Sequence, residues 1–345
     1  MSEEKKKSAY AEAGVDIDVM MGSLQNIKKD VASTNTDGVV SEIGSFGGLF
    51  KSPGEGSLIV SSVDGVGTKL KVANMAGIHN TVGQDLVNHC TNDILVQGAR
   101  PLFFLDYLGT ASLAPEVFEA VVSGFCTACR ENGAALLGGE TAEMPGLYPE
   151  GEYDLVGTIV GTVERDKVIT GEKIVEGDVL IGLPSTGPQT NGYSLARKVI
   201  FEKAGKKLDD IVPGTDITFQ DALLAIHSSF LHPVLALLEK VDVHGMAHIT
   251  GGGLYDNVPR VLPKNVDAKF DRSTWEVPAI YKFIEKEGGV DHEEMFRVFN
   301  MGIGYVIMVA KDDVDSTLEI LKANDQEAIL VGEVVPGSGN TVLVN

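Results

Sequence analysis

Apolar and polar residues alternate along Glu152–Val163, EYDLVGTIVGTV, the period of a strand with one buried face. Apolar runs at Leu58–Val63, Phe103–Tyr107, Asp178–Leu183 and Gly302–Val309 read as further strands. Helical patterns lie between them. One falls at about Val82–Gly98. A second spans Pro115–Asn132, where Pro115 suits the first turn and Gly133 the position past the end. The apolar run Ala134–Leu137 then leads into GGETAEMPG. In the second half, helical patterns occupy about Tyr193–Ala204, Phe219–Val241 as one long helix, Tyr255–Val261 and Val314–Ala323. Strands and helices alternate without a clean βαβ rhythm, which predicts a mixed α/β (α+β) fold in two parts. The stretch Glu164–Gly177 is charged and carries several turn residues, so the boundary is expected there, dividing the chain into 1–168 and 169–345. There is no internal repeat, no low-complexity segment, and no GxGxxG or Walker-type loop.

Composition sharpens this picture. A chain of 345 residues is long enough for two domains of ordinary size. Apolar content of 43% supports real cores, but aromatics at 6% leave most packing to Val, Ile, Leu and Ala. The 40 glycines sit in short runs between apolar segments, where they mark turns and places of close backbone approach. Acids outnumber bases 49 to 28, for a net charge of −21, which argues against nucleic acid or an anionic membrane as partner. A nucleotide would need Mg²⁺ and a few local Lys or Arg residues to settle in so acidic a chain. Cys90, Cys126 and Cys129 cannot form a disulfide framework and fit a reducing cytoplasm. No run approaches 18 apolar residues, and MSEEKKKSAY has no apolar signal region. Glu3 and Glu4 argue against a transit peptide, and Lys5–Lys7 reads as a solvated tail.

The candidate chemistry begins on the helix at Asp85–Gly98. Leu86, Val87, Cys90 and Ile94 fall on one arc, with Leu95 at its edge, and Asp85, Asn88, His89, Asn92 and Asp93 fall on the other. Solvated faces usually mix in Lys or Arg to pair with acids, and none occurs here before Arg100. Two acids and two amides without a counter-ion point to a hard metal held by oxygen, with a plain solvated face as the alternative. About twenty residues earlier, SSVDGVGTKL runs from a strand into a turn. Asp64 could bind metal there and Lys69 reach a phosphate, or the segment could be a tight hairpin with a surface lysine. Together the two segments suggest carboxylates holding a divalent metal against nucleotide phosphates. In GGETAEMPG, Glu140 and Glu143 are metal ligands, acid–base groups or an ordinary acidic loop. SFGGLF at Ser45–Phe50 is a phosphate-covering loop or merely a turn.

Two Gly-rich turns open helices in the second half, STGPQTNGYS and HITGGGLYDN. Free backbone N–H groups there suit a phosphorylated small molecule. The alternative is a pair of helix caps, with Thr190 or Asn191 as cap residue. His248 stands just before the second turn. His244 and His248 have an i, i+4 spacing, but Gly245 lies between them and no further ligand is nearby, which argues against zinc. Cys126 and Cys129 lie within an amphipathic helix and read as core packing.

The motifs together resemble the phosphoribosylformylglycinamidine cyclo-ligase family, also called aminoimidazole ribonucleotide synthetases, of purine biosynthesis. The resemblance runs from YAEAGVDID (Tyr10–Asp18) through VDGVGTKL, DLVNHCTNDILVQGARPLFFLDY and LLGGETAEMPG. It continues through NGYSLAR, KVDVHGMAHITGGGLYDNVPRVLP and FNMGIGYVIMV, and so covers nearly the whole chain. It implies a two-domain α/β fold and a homodimer whose N-terminal β-sheets close into a barrel, with ATP near that interface. The C-terminal α/β domain would contribute the substrate's phosphate site.

The implied reaction converts formylglycinamidine ribonucleotide and ATP to aminoimidazole ribonucleotide, ADP and phosphate by way of a phosphorylated formyl oxygen. Such chemistry is mostly positioning and charge neutralisation. On this chain the resemblance implies Mg²⁺ at Asp64 and Asp93, with Asp85 and Glu140 as further ligands, and Lys28 and Lys69 at the ATP phosphates. Gly47, Gly48, Gly65, Gly67, Thr68 and Gly139 would line the nucleotide. His248, Asp93 and Lys69 would carry the chemistry, His248 near the reacting formyl group. The ribose phosphate would lie against Gly187, Thr190, Asn191, Gly192, Ser194, Gly251, Gly252 and Gly253. One position departs: the family often has His where this chain has Gln189, which can donate a hydrogen bond but cannot carry a proton at neutral pH. The same architecture serves sister ATP-dependent enzymes, including small-molecule kinases and selenophosphate synthetase, and a non-catalytic nucleotide-binding protein is the alternative of a different class. Selenophosphate synthetase generally wants a reactive Cys near the N-terminus, and the first cysteine here is Cys90.

Overall fold

The computed structural model describes residues 17–39 and 50–345. The first half holds α1 (Ile17–Ala32), β1 (Ser57–Gly65), α2 (Lys69–Ala76), α3 (Asn80–Leu95), β2 (Arg100–Thr110), α4 (Pro115–Glu131), β3 (Ala135–Glu143) and β4 (Tyr153–Glu164). Its sheet has the order β1-β4-β2-β3. β4 runs antiparallel to β1 and β2, whereas β2 and β3 are parallel and joined through α4. The alternation read in the sequence is the burial pattern of β4, with Tyr153, Leu155, Ile159 and Val163 on the core side. Helices α3 and α4 cover that side. Their backbones meet at Gly83 and Gly124: a methyl at Gly124 would lie 2.3 Å from the Asn80 carbonyl, and one at Gly83 2.3 Å from that of Val121. GGETAE, open to reading as a loop, is instead the second half of β3.

The second half contains β5 (Val179–Pro184), α5 (Tyr193–Arg197) continuing as a wider turn over Lys198–Lys203, α6 (Phe219–Leu224), α7 (Leu231–Leu238), β6 (Gly245–His248) and α8 (Gly253–Asn257). It goes on with β7 (Val266–Asp271), α9 (Ala279–Gly288), α10 (His292–Val298), β8 (Ile303–Val309), α11 (Val314–Ala323), β9 (Ile329–Pro336) and β10 (Thr341–Val344). The sheet order is β10-β7-β9-β5-β8-β6, antiparallel except for the β10–β7 pair. All seven residues of β8 are buried, as a central strand requires.

The long helix expected over Phe219–Val241 is two helices, α6 and α7, separated by a loop at 225–230. The interruption has a physical cause on α3. Asn88 Nδ2 donates to the His227 carbonyl at 2.8 Å and Asn92 Nδ2 to that of Ser228 at 2.7 Å. Asn92 Oδ1 accepts from the Phe230 N–H at 3.0 Å, and Asp85 Oδ1 from the His227 N–H at 2.8 Å. Lys69 Nζ donates to the Ala225 carbonyl at 2.8 Å. The loop's backbone groups thus find in α3 and α2 the partners that a continuous helix would have provided.

This arrangement corrects two expectations. Asp85 does not face a metal: its Oδ2 lies 2.8 Å from Lys69 Nζ, and both side chains are fully buried. Lys69 for the same reason does not reach toward a phosphate. Burial pushes the Lys69 pKa down and that of Asp85 up, and their mutual attraction opposes both shifts.

Two outcomes are expected. Replacing Asp85 by Ala strands a buried ammonium and should destabilise the chain by about 3–5 kcal/mol in urea unfolding. A loss below ~1 kcal/mol would mean the pair does not hold the halves together. Gly124→Ala forces α3 and α4 apart and should cost about 1–3 kcal/mol in the same assay.

Candidate active site

The remaining polar side chains of α3 meet the second half at a cluster of three buried histidines. His89 comes from α3, His227 from the 225–230 loop and His248 from the end of β6. Their ring centroids are 5.0–5.2 Å apart, each pair edge to face. His248 Nε2 and His227 Nε2 are 3.0 Å apart. His248 Nδ1 lies 2.8 Å from Asp93 Oδ1, and Ser62 donates to Asp93 Oδ2 at 2.9 Å. His89 Nδ1 lies 2.8 Å from Thr190 Oγ1, which is also 3.4 Å from His227 Nδ1. On its other side, His89 Nε2 lies 2.9 Å from Asp64 Oδ2 and 3.7 Å from Asp93 Oδ2.

The carboxylates set the direction of this chain of contacts, because an ionised carboxylate only accepts. Asp93 takes the His248 Nδ1–H, leaving His248 Nε2 to accept from His227 Nε2–H. His227 Nδ1 then accepts from the Thr190 hydroxyl, and Thr190 accepts from His89 Nδ1–H. The network thus favours a proton on His89 Nδ1, with Nε2 facing the Asp64 carboxylate at 2.9 Å. The electrostatics agree. Burial alone would lower the His89 pKa, but its bond to Asp64 and the charges of Asp93 and Asp64 outweigh burial and raise it. Burial holds His248 below the usual range despite Asp93. His227 is driven well below, by burial first and then by His248 and His89. Burial opposes ionisation of Asp93 and Asp64, yet the neighbouring histidines keep both carboxyls below the usual range.

The second half's turns close over the same place. Thr68, in the DGVGT turn, and Ser194 face each other across the halves with hydroxyl oxygens 3.0 Å apart. A methyl at Gly251 would lie 3.1 Å from Asn191 Oδ1, so the turns at 187–194 and 251–253 are neighbours. Gly253 has φ +58°, and a methyl there would fall 1.9 Å from the Phe296 carbonyl, so no side chain fits. The Asn257 amide ties the second turn by donating to the carbonyls of Thr250, Gly251 and Gly253 at 2.9–3.3 Å. Gln189 is 1% exposed and has φ 59°. Neither atom of its amide has a hydrogen-bond partner among the described residues.

Of the expected site residues, the structure thus brings together Asp64, Asp93, Thr68, Ser194, Thr190, Asn191 and His248. Gly65 donates its N–H to Asp64 Oδ1 at 2.6 Å, and Gly67 takes φ 68° to turn the chain into α2. Gly139 and Glu140 lie apart. They lie on β3, paired with Asp106 and Tyr107 of β2, at the opposite sheet edge from the β1 that carries Asp64. Three strand spacings are roughly 14 Å, so Glu140 and Asp64 of one chain cannot share an ion. Lys28 is exposed on α1. Gly47 and Gly48, most of SFGGLF and most of YAEAGVDID lie outside the described residues. His227 had no sequence signal. His89 had one, its i, i+4 spacing from Asp93.

The comparisons with known proteins agree on a family. The AIR synthase related N-terminal domain matches residues 37–163, and the corresponding C-terminal domain matches 175–345. The phosphoribosylformylglycinamidine cyclo-ligase of Alkaliphilus oremlandii is 46% identical over 344 residues, covering 98% of this chain and 100% of that protein. That of Geobacter metallireducens is 49% identical over 339 residues, 97% of each. Among solved structures, thiamine-monophosphate kinase from Stenotrophomonas maltophilia superposes with TM-score 0.69 at 17% identity, covering 93% of this chain and 95% of that one. The hydrogenase maturation protein HypE in complex with ATP superposes with TM-score 0.67, also at 17% identity, covering 92% and 90%. At that identity these two share the fold alone. With near-full-length relatives at 46–49% identity and both domains matched, the chain belongs to the phosphoribosylformylglycinamidine cyclo-ligase family.

Proposed function

We propose that the histidine–carboxylate cluster is the active site of an ATP-dependent ring closure, from formylglycinamidine ribonucleotide to 5-aminoimidazole ribonucleotide. The observation that carries this reading is the joining of the halves at one point, through His248 to Asp93 and Thr190 to His89. In this reaction the formyl oxygen attacks the γ-phosphorus and the bond to ADP breaks. The substrate's own nitrogen then attacks the activated formyl carbon, the C–O bond breaks to release phosphate, and the nitrogen loses a proton.

Each step asks the protein for position and charge more than for a nucleophile. Asp64 and Asp93 suit a hard cation: with His89 they offer ligand atoms within 4.8 Å of one another, and Asp64 is exposed. Mg²⁺ held there would neutralise charge on the phosphates being transferred. The Gly65, Gly67 and Thr68 turn lies beside Asp64, so backbone N–H groups can approach the same phosphates. Lys69 serves by anchoring that turn to α3. Gly187–Ser194 and Gly251–Gly253 would take the ribose phosphate. His248, its pKa lowered by burial and its ring oriented by Asp93, would face the formyl group.

The reading includes a homodimer. One face of the N-terminal sheet is covered by α3 and α4, and among the described residues no element covers the other. Ile59 and Val63 are 56% and 62% exposed on β1, which is an edge strand among the described residues. The register sets Val160 and Val156 of β4 in line with Phe103 and Tyr107 of β2 on the same face, all only part-buried. An exposed apolar face beside an unpaired edge calls for a partner. A second copy closing the sheet into a barrel would supply it. A cytoplasmic location completes the reading; the three cysteines are free and buried. Among the described residues no helix is long and apolar enough to cross a membrane.

The decisive assay follows ATP hydrolysis with and without formylglycinamidine ribonucleotide, with Mg²⁺ present, and scores the aminoimidazole by its amine colour reaction. ADP and aminoimidazole should appear in equal amounts, and Asp93→Asn should lower kcat by on the order of 10²–10³. ATP binding with no product would overturn the reading. For the dimer, sedimentation equilibrium should give two chains per particle, and the pair Ile59→Glu and Val63→Lys should give one. A wild-type chain that sediments as a monomer at micromolar concentration would refute the barrel.

A further inference from the structure

We propose that His89, His227 and His248 form a binding site for a borderline transition-metal ion, Zn²⁺ or its neighbours Ni²⁺ and Cu²⁺, distinct from the carboxylate pair, and that the ion shuts the active site. The inhibitory half rests on the cyclo-ligase reading. The binding half rests on geometry alone.

A ligating nitrogen from each of the three histidines lies within 4.8 Å of the other two, and all three residues are buried. His227 Nε2 and His248 Nε2 are 3.0 Å apart. Two imidazole nitrogens on one tetrahedral ion, each about 2.05 Å from it, stand about 3.3 Å apart. An ion can therefore take the place of the proton between these two rings with little movement of either. His89 completes a triangle of rings, with centroids 5.0 and 5.2 Å from the other two.

The outer nitrogens carry the supporting contacts that metal-binding histidines usually have. His248 turns Nδ1 to Asp93, His89 turns Nε2 to Asp64, and His227 turns Nδ1 to Thr190. With those nitrogens engaged, His248 Nε2, His227 Nε2 and His89 Nδ1 are left for the ion. Thr190 Oγ1, now 2.8 Å from His89 Nδ1, would give up that contact and keep its bond to His227. Three imidazoles favour Zn²⁺, Ni²⁺ or Cu²⁺ over Mg²⁺, which prefers oxygen. Three protein ligands also leave a fourth position for water. An ion there would tie up His248 and stiffen the loop at 225–230, and both changes oppose turnover.

The test uses the full chain after chelator treatment, with metal alone and neither nucleotide nor substrate. Calorimetry with Zn²⁺ should give one ion per chain, undiminished by millimolar Mg²⁺, and Co²⁺ should give the intense visible absorption of a four-coordinate site. X-ray absorption should count three imidazole nitrogens, and a count below three overturns the site whether or not any variant folds. His227→Gln should weaken Zn²⁺ binding at least 100-fold while its apo melting temperature stays near wild type. Unchanged affinity in that variant would place the ion at Asp64, His89 and Asp93 instead and refute the proposal. Zn²⁺ should inhibit product formation and a chelator should restore it; full activity with the site filled would overturn the inhibitory half. If the chain makes no aminoimidazole at all, the calorimetry and spectra still decide the binding half.

Discussion

The structure depends on a lysine with no access to water. Lys69 Nζ has Asp85 at 2.8 Å, the Ala225 carbonyl at 2.8 Å and the Tyr193 ring at 5.7 Å. Asp85 in turn holds the His227 N–H. Four segments thus meet at one buried charge pair: the end of the DGVGT turn, α3, the 225–230 loop and α5. Removing either charge leaves the other in a low-dielectric interior, so the pair is hard to break one member at a time. It sets the distance between the turn expected to meet nucleotide and the turn expected to meet substrate. The amides Asn88 and Asn92 repeat the connection along α3 with neutral hydrogen bonds.

What could be read from the sequence divides along physical lines. The period-two burial of β4 is a local property, and α4 carries its own start and stop signals, so both were legible. The polar arc of α3 was equally visible, but its meaning was not. Acids and amides without local cations suggest a metal, whereas Asp85, Asn88 and Asn92 find their partners about 140 residues away in the chain. For the same reason the segment from Phe219 on read as one helix: its periodicity is helical, and the competing hydrogen bonds come from α3. Asp93, at the far end of that arc, lies close to Asp64 of β1 and to His89. β6, β7, β9 and β10 carried no signal strong enough to single out; β6 and β10 have only four residues each, and β7 and β9 intersperse buried positions with more exposed ones, without a long apolar run.

The site also shows why histidines are poorly read from sequence. His89, His227 and His248 stand on three separate elements, and their closeness is a product of the fold. His244 bonds to Asp178 at 2.7 Å and lies away from the cluster. The −21 net charge raised the question of how so acidic a chain could hold a polyanion. Within the site, the answer starts with a histidine whose pKa the two flanking carboxylates raise against its burial.

Gln189 carries a different consequence. Its backbone has φ 59°, its side chain is 1% exposed, and both amide atoms lack partners among the described residues. On foldability alone the position is a poor choice, since an apolar side chain of similar size would remove an unsatisfied dipole and suit the wall formed by Phe230 and the backbone of Gly304. A population of variants sorted only for heat resistance should therefore drift away from glutamine here. One sorted for growth on a diet lacking purines should keep it. The difference between the two would measure what the amide does once substrate is present.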